Sequence, residues 1–340
     1  MKSPVQLTIS ILFLACSSFA LCAEIDSITP RGIALEDSLK PINTEINKRI
    51  QEGVNNANAW HSSFRNLERE NYCDEEVLYR ELRKSIFGTL TASWGLKGYS
   101  LDKQLRTLLV DRSYSLSLND SIYRDISYIE GISLNLKELS DVVNIDGNLI
   151  GLDKIGHFFA EGWKYFELTH MEEQTLLQAI QWGREQEEGT FGYTTTGIFS
   201  YADLTANFNG WRFWNKVLPG EHDPLKGKLA NLFTASYTGC SIQFLDSIRS
   251  RKLIRAWTVK KKFNLMDFLD GAWDEGNNCV SFKDPLIEEK VMSRVKFLDP
   301  HFSCPASRGK CRDAMEKYGD YAKYILHPAC LNVKNNSQAK

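Results

Sequence analysis

The chain has 340 residues, 43% of them hydrophobic and 25% charged, with a formal net charge of −2. That length allows one large domain or two modest ones with a real core, and the composition excludes a disordered or fibrous chain. The near balance of charge gives no overall pull toward polyanions, so no nucleic-acid partner is expected.

The first residues, MKSPVQLTISILFLACSSFALCAEID, join a basic Lys2 to an apolar run and then to small residues ahead of the first acids. This is the pattern of a secretory signal peptide over residues 1–23, cleaved after Ala20 or Ala23. The run is short for a membrane span and is broken by Ser and Thr. Cys16 or Cys22 offers a lipid acceptor, although the residues ahead of each match a lipoprotein box poorly. A periplasmic or secreted protein is therefore expected, with a lipid-anchored form as the variant. No later stretch approaches about 20 apolar residues, so the processed chain reads as soluble rather than integral to a membrane.

Residues 24–60 read as an N-terminal helical arm, polar and at the surface over 36–59. A helical core domain is expected over 61–240, with a cysteine-containing region, 241–340, packed on it. Within the core domain, residues 74–92 set Val77, Leu78, Leu82, Ile86 and Leu90 at helical spacing behind Asp74 and Glu75. Residues 101–140 alternate short apolar runs with Asn, Asp and Gly, a pattern open to helices or short strands. Helices follow at 152–169, 171–188 and 201–217, the last two separated by a loop, GTFGYTTTG. The fold is thus expected to be mainly α, a soluble helical bundle-like domain with a disulfide-stapled C-terminal part.

On the first of these three helices Asp153, His157 and Glu161 fall four apart and share a face. On the second, Ile180, Gly183 and Glu187 share another, and on the third Asp203, Asn207 and Gly210 do. A glycine inside a helix costs about 1 kcal/mol, so its presence points to close approach of a neighbouring backbone or a ligand. Asp153 and His157 are expected to face Asp203 and Asn207 near Gly210, with Glu187 within reach and Asp153 orienting the imidazole. His157, Glu187 and Asp203 are the catalytic candidates. Asp153, His157, Glu161 and Asp203 are the candidate ligands of a divalent metal, and Lys154, Glu188, Ser200, Asn207 and Gly210 support the site. Each has a plainer role too: Ser200 and Asp203 fit an S-x-x-D capping pattern, Lys154 reads as solvated or ion-paired, and Glu188 sits in an acidic run. The chain has no H-E-x-x-H, G-x-S-x-G or P-loop.

The sequence DKIGHF at 153–158, an acidic helix end, and SYADLTANFNG at 200–210 resemble the order D-K-x-x-H-F … E … S-x-x-D-x-x-[AN]-x-x-x-G. That order is similar to one in the VanZ-like family and in a group of uncharacterised exported bacterial lipoproteins. The resemblance covers about residues 150–215 and implies a role for Asp153, Lys154, His157, Glu187, Ser200, Asp203, Asn207 and Gly210. VanZ-like proteins are small helical membrane proteins linked to glycopeptide-antibiotic resistance. This chain departs from them by its long cysteine-bearing tail.

Outside the signal, six cysteines remain: Cys73, Cys240, Cys279, Cys304, Cys311 and Cys330. An even number in an exported chain reads as disulfides, with Cys304 and Cys311 expected to pair across PASRGK. In DFLDGAWDEGNNC (267–279), Asp270, Asp274 and Asn277 suit either a calcium site or an Asx-rich turn; the spacing is not that of an EF-hand, which favours the turn. The basic segment Arg249 to Lys262 suits a solvated face or a grip on envelope glycan or anionic lipid. Two functions remain open. One is an envelope hydrolase acting on glycan or phosphorylated lipid through the His/Asp/Glu cluster. The other is a non-catalytic scaffold or binding protein in which that cluster only locks helices together.

Overall fold

The structure is a computed structural model that describes residues 24–63, 73–87, 101–136, 138–189, 192–220, 222–247 and 250–333. The segment read above as a signal peptide, with its two cysteines, lies outside the described residues. Helices predominate. They are α1 (Leu39–Ser63), α2 (Glu75–Phe87), α3 (Leu101–Leu108), α4 (Ile132–Leu136), α5 (Leu152–His170), α6 (Leu176–Glu188), α7 (Tyr201–Asn215), α8 (Lys228–Phe233), α9 (Pro285–Leu298), α10 (Arg308–Tyr318), α11 (Ala322–Ile325) and α12 (Pro328–Leu331). The strands are β1 (Ser113–Tyr114), β2 (Val142–Ile145), β3 (Asn148–Gly151), β4 (Ile198–Ser200), β5 (Thr238–Ser247), β6 (Ser250–Val259) and β7 (Val280–Phe282). They form three small antiparallel sheets, β1-β2-β3, β4-β7 and β5-β6.

Local chemistry explains the starts of the central helices. Asp146 and Gly147, both at positive φ, make the tight turn between β2 and β3, the conformation an Asp-Gly pair favours in a two-residue hairpin. The end of β3 delivers the chain into α5. Its first amides are satisfied from outside the helix: Leu152 N–H donates to the Asp141 carbonyl at 2.9 Å and Asp153 N–H to Ser140 Oγ at 3.1 Å. A reciprocal box between Thr175 and Gln178 opens α6, and the Ser200 hydroxyl accepts from Asp203 N–H to open α7.

Every residue of α7 is buried, so it is the axis of the core rather than an amphipathic surface helix. It packs along α5. A Cβ placed on Gly210 would lie 1.7 Å from the Phe158 carbonyl oxygen, and one on Gly162 would lie 2.5 Å from the Gly210 α-carbon. The two backbones therefore touch, and only glycine fits at the crossing. Around it Phe158, Phe159, Phe213, Trp214, Phe263, Phe268 and Trp273 form a continuous aromatic layer, and Trp214 Nε1 donates to the Phe159 carbonyl at 2.9 Å. A second apolar cluster gathers Ile122, Ile126, Leu134 and Ile198 against Ile287, Val291 and Val295 of α9.

Several sequence expectations change here. The expected surface arm is part of the core: α1 buries Ile42, Ile46, Ile50, Val54 and Ala57 against α2, an i, i+4 stripe masked by the polar residues around it. Residues 101–140 mix short helix with a two-residue strand. Cys304 does not pair with Cys311. The bonds are Cys73–Cys240, Cys279–Cys304 and Cys311–Cys330, because Cys311 opens a helix that turns its side chain inward to Cys330. Two bonds thus staple the C-terminal part, and the third ties the segment before α2 to β5.

The Gly162–Gly210 crossing predicts that Gly210→Ala loses about 3 kcal/mol or more in urea unfolding, because the new methyl meets backbone that cannot rotate away. Gly227→Ala, where a Cβ meets nothing, should change stability by less than about 1 kcal/mol. Equal effects of the two substitutions would contradict this packing.

Candidate functional site

Two turns of α5, the first two turns of α7, the end of α6 and the segment 274–278 meet at one buried point. Lys154 lies at its centre, 1% exposed. Its Nζ is 2.9 Å from Asp153 Oδ2 and 2.7 Å from Glu275 Oε1, and it also contacts Asp203 Oδ1. One helical turn on, the fully buried His157 has Nε2 3.1 Å from Asp203 Oδ2 and Nδ1 3.2 Å from Asn207 Oδ1, with Glu161 Oε2 3.7 Å from Nδ1. Ser200 Oγ donates to Glu275 Oε1 at 2.8 Å, and Ser200 N–H donates to Glu187 Oε2 at 3.3 Å. Asp203 therefore begins α7 without closing a capping box; its carboxylate is turned to Lys154 and His157 instead.

The structure brings together Asp153, Lys154, His157, Glu161, Glu187, Ser200, Asp203 and Asn207, and Gly210 permits the helix contact behind them. Two expectations are corrected. Asp153 does not orient the imidazole; it pairs with Lys154, and Asn207 and Asp203 hold the ring. Glu188 is outside the cluster, exposed beside Arg184. Glu275 belongs to the cluster although no spacing along the chain links it to Lys154, 121 positions earlier. Glu24 approaches as well: its Oε1 accepts from Thr196 Oγ1 at 2.6 Å, and the Glu275 charge adds to the burial that raises it.

The electrostatics follow from burial. Desolvation pushes Glu161 up to about 7 and Glu187 up to about 8, Glu187 further helped by the Asp203 charge. Glu275 rises to about 7 from burial, against the pull of Lys154. Burial likewise raises Asp153 and Glu24. Asp203 goes the other way: burial opposes its charge, but His157 and Lys154 hold it well below the ordinary carboxylate range. Burial also works against the Lys154 ammonium, yet Asp153, Asp203 and Glu275 keep it protonated far above its usual value. Six carboxyl groups thus surround one ammonium and one imidazole.

A cavity of about 60 Å³ adjoins the cluster, lined by Glu275 and Tyr123 with Ile28, Ile122, Val280 and Phe302 among its apolar walls. At roughly 10–15 Å³ per water it has room for a few molecules. Of the cluster's acids only Glu275 lines it.

The other sequence candidates have partners of their own. Asp270 accepts from Ala272 N–H and pairs with Lys317 and the Tyr318 hydroxyl, Asp274 pairs with Arg31, and Asn277 Nδ2 donates to the Gly271 carbonyl. That is the turn, not a calcium loop. The basic segment is mostly β6, with Arg255, Lys260 and Lys262 exposed and Lys261 paired to Asp267 at 2.6 Å; Arg249 lies outside the described residues. No described helix is long and apolar enough to cross a membrane. No protein-family model, curated protein or solved structure matches the chain.

The raised Glu187 gives a pH prediction. Because it holds a proton when folded that the unfolded chain gives up near 4.5, its folded form loses stability as pH climbs from there through about 8. Urea midpoints of the wild type should fall between pH 5 and pH 8, and Glu187→Gln should make that fall shallower. An unchanged slope would show that Glu187 ionises normally.

Proposed function

We propose that the chain is an exported protein of the cell envelope and that the buried cluster is the acid/base centre of a hydrolase acting on envelope glycan or phosphorylated lipid. The observation that carries the reading is a surplus of buried acids. A purely structural lock needs no more carboxyl groups than it has cations, because each surplus acid must be buried protonated to escape the cost of an unpaired charge. Here six carboxyl groups meet one ammonium and one imidazole, and Glu161, Glu187 and Glu275 are held near neutrality, where a group both gives and takes protons. Glu275 is the one acid of the cluster among the residues that line the cavity. His157, between Asn207 and Asp203, is the base, with its ring fixed from both sides. Export is supported by the signal-like N-terminus and by three disulfides.

The competing scaffold reading draws on the burial of His157, Lys154 and Asn207. Glu161→Gln separates the two. In a hydrolase the substitution removes a surplus acid, so the melting temperature at pH 8 holds or rises while release of phosphate or reducing ends falls about 100-fold or more. In a lock it removes a needed partner and costs about 1–3 kcal/mol. A destabilised Glu161→Gln variant, together with no hydrolysis of either substrate class by the wild type, would leave the scaffold.

A further inference from the structure

We propose that Asp153, His157 and Asp203 form a binding site for one divalent first-row transition-metal cation, the three supplying one nitrogen and two oxygen ligands. The inference rests on the same cluster as the hydrolase reading but is read by binding alone. Donor atoms of the three side chains lie within 4.8 Å of one another, and all three residues are buried. Atoms that share an ion at about 2.1 Å are at most roughly 4.2 Å apart, so little closure is needed. His157 Nε2 and Asp203 Oδ2, 3.1 Å apart, already have the separation of neighbouring ligands on such an ion.

The partners of these groups point the same way. His157 Nδ1 faces the Asn207 side-chain oxygen, which holds a proton on Nδ1 and leaves Nε2 as the ring atom turned to Asp203. Between Nε2 and Asp203 Oδ2, 3.1 Å apart, either an imidazolium proton or a cation can lie. Lys154 does not fill that place: on Asp203 it takes Oδ1, not the Oδ2 that faces His157, and on Asp153 it takes Oδ2. Asp153 Oδ1 accepts no hydrogen bond, although its side chain is only 6% exposed. A buried carboxylate oxygen without a donor is open to a ligand. The donor set, imidazole with two carboxylates, suits Zn²⁺, Mn²⁺ or Co²⁺ better than Mg²⁺ or Ca²⁺, and three protein ligands leave a coordination position open.

The test uses the full exported chain, stripped with a chelator and titrated with Co²⁺ and Zn²⁺ by calorimetry, with the visible bands of Co²⁺ as a second readout. The expected result is one ion per chain and a higher melting temperature. Asp153→Asn and His157→Gln should each weaken binding about tenfold or more, and Glu188→Gln, at an exposed position outside the cluster, should leave it unchanged. A wild-type chain that takes up neither ion, or tight binding that survives both Asp153→Asn and Asp203→Asn, would overturn the site. In the first outcome an imidazolium proton fills the space between His157 and Asp203. Because no substrate is used, absence of hydrolysis would not touch this result, and absence of metal would leave the acid/base reading standing.

Discussion

The ammonium of Lys154 is the interaction on which the centre of the molecule depends. One charge, taken out of water, is shared by Asp153 from its own helix, Asp203 from α7 and Glu275 from the segment just after Trp273. Three pieces of chain far apart in sequence are thereby held to one point. Burying an ion costs several kcal/mol, and it is offset only when partners crowd round it with good geometry. Lys154 has three. The same arrangement leaves an excess of acid beside it, and that excess distinguishes the cluster from an ordinary buried ion pair.

Packing decides where this point lies. Glycine at 162 and 210 lets α5 and α7 touch backbone to backbone, which brings the first turns of both helices together in register. The aromatic layer beyond the crossing fixes the angle and fills the rest of the interface. Glu275 depends on different restraints. Its segment is pinned by the Asp274–Arg31 ion pair on one side and by the Cys279–Cys304 bond on the other. The Cys311–Cys330 bond then holds α10 to α12, and α10 lies against the segment 271–273. The covalent staples of the C-terminal part therefore position a residue of the site and do more than stabilise a tail.

Much of this was legible in the sequence, and what was missed has physical reasons. The helices over 152–169 and 201–217 could be read because apolar periodicity and capping residues are local signals, whereas the one expected over 171–188 begins only at Leu176, behind the Thr175 cap. Asp153, His157, Asp203 and Asn207 could be placed opposite each other because the i, i+4 rule and two helix-interior glycines constrain both faces. Glu275 could not be found: it sits among Asp and Asn residues that make turns, and only tertiary folding carries it to Lys154. The disulfide pairing failed for a related reason, since sequence proximity favoured Cys304 with Cys311 while α10 directs Cys311 inward. The stripe of α1 was hidden by the Asn, Lys and Glu residues on its other faces. The role of Asp153 was misassigned because the neighbouring lysine, read as solvated or ion-paired, takes it away from the histidine.

The central claim is that Lys154 organises the cluster by neutralising acids that would otherwise repel one another in the core. Urea unfolding of Lys154→Met beside the wild type at neutral pH tests it most directly, since methionine preserves the apolar stem and removes only the charge. The account predicts a loss of about 3–5 kcal/mol, the cost of leaving buried carboxylates without their partner. A change within about 0.5 kcal/mol, the range of an ordinary surface substitution, would contradict it.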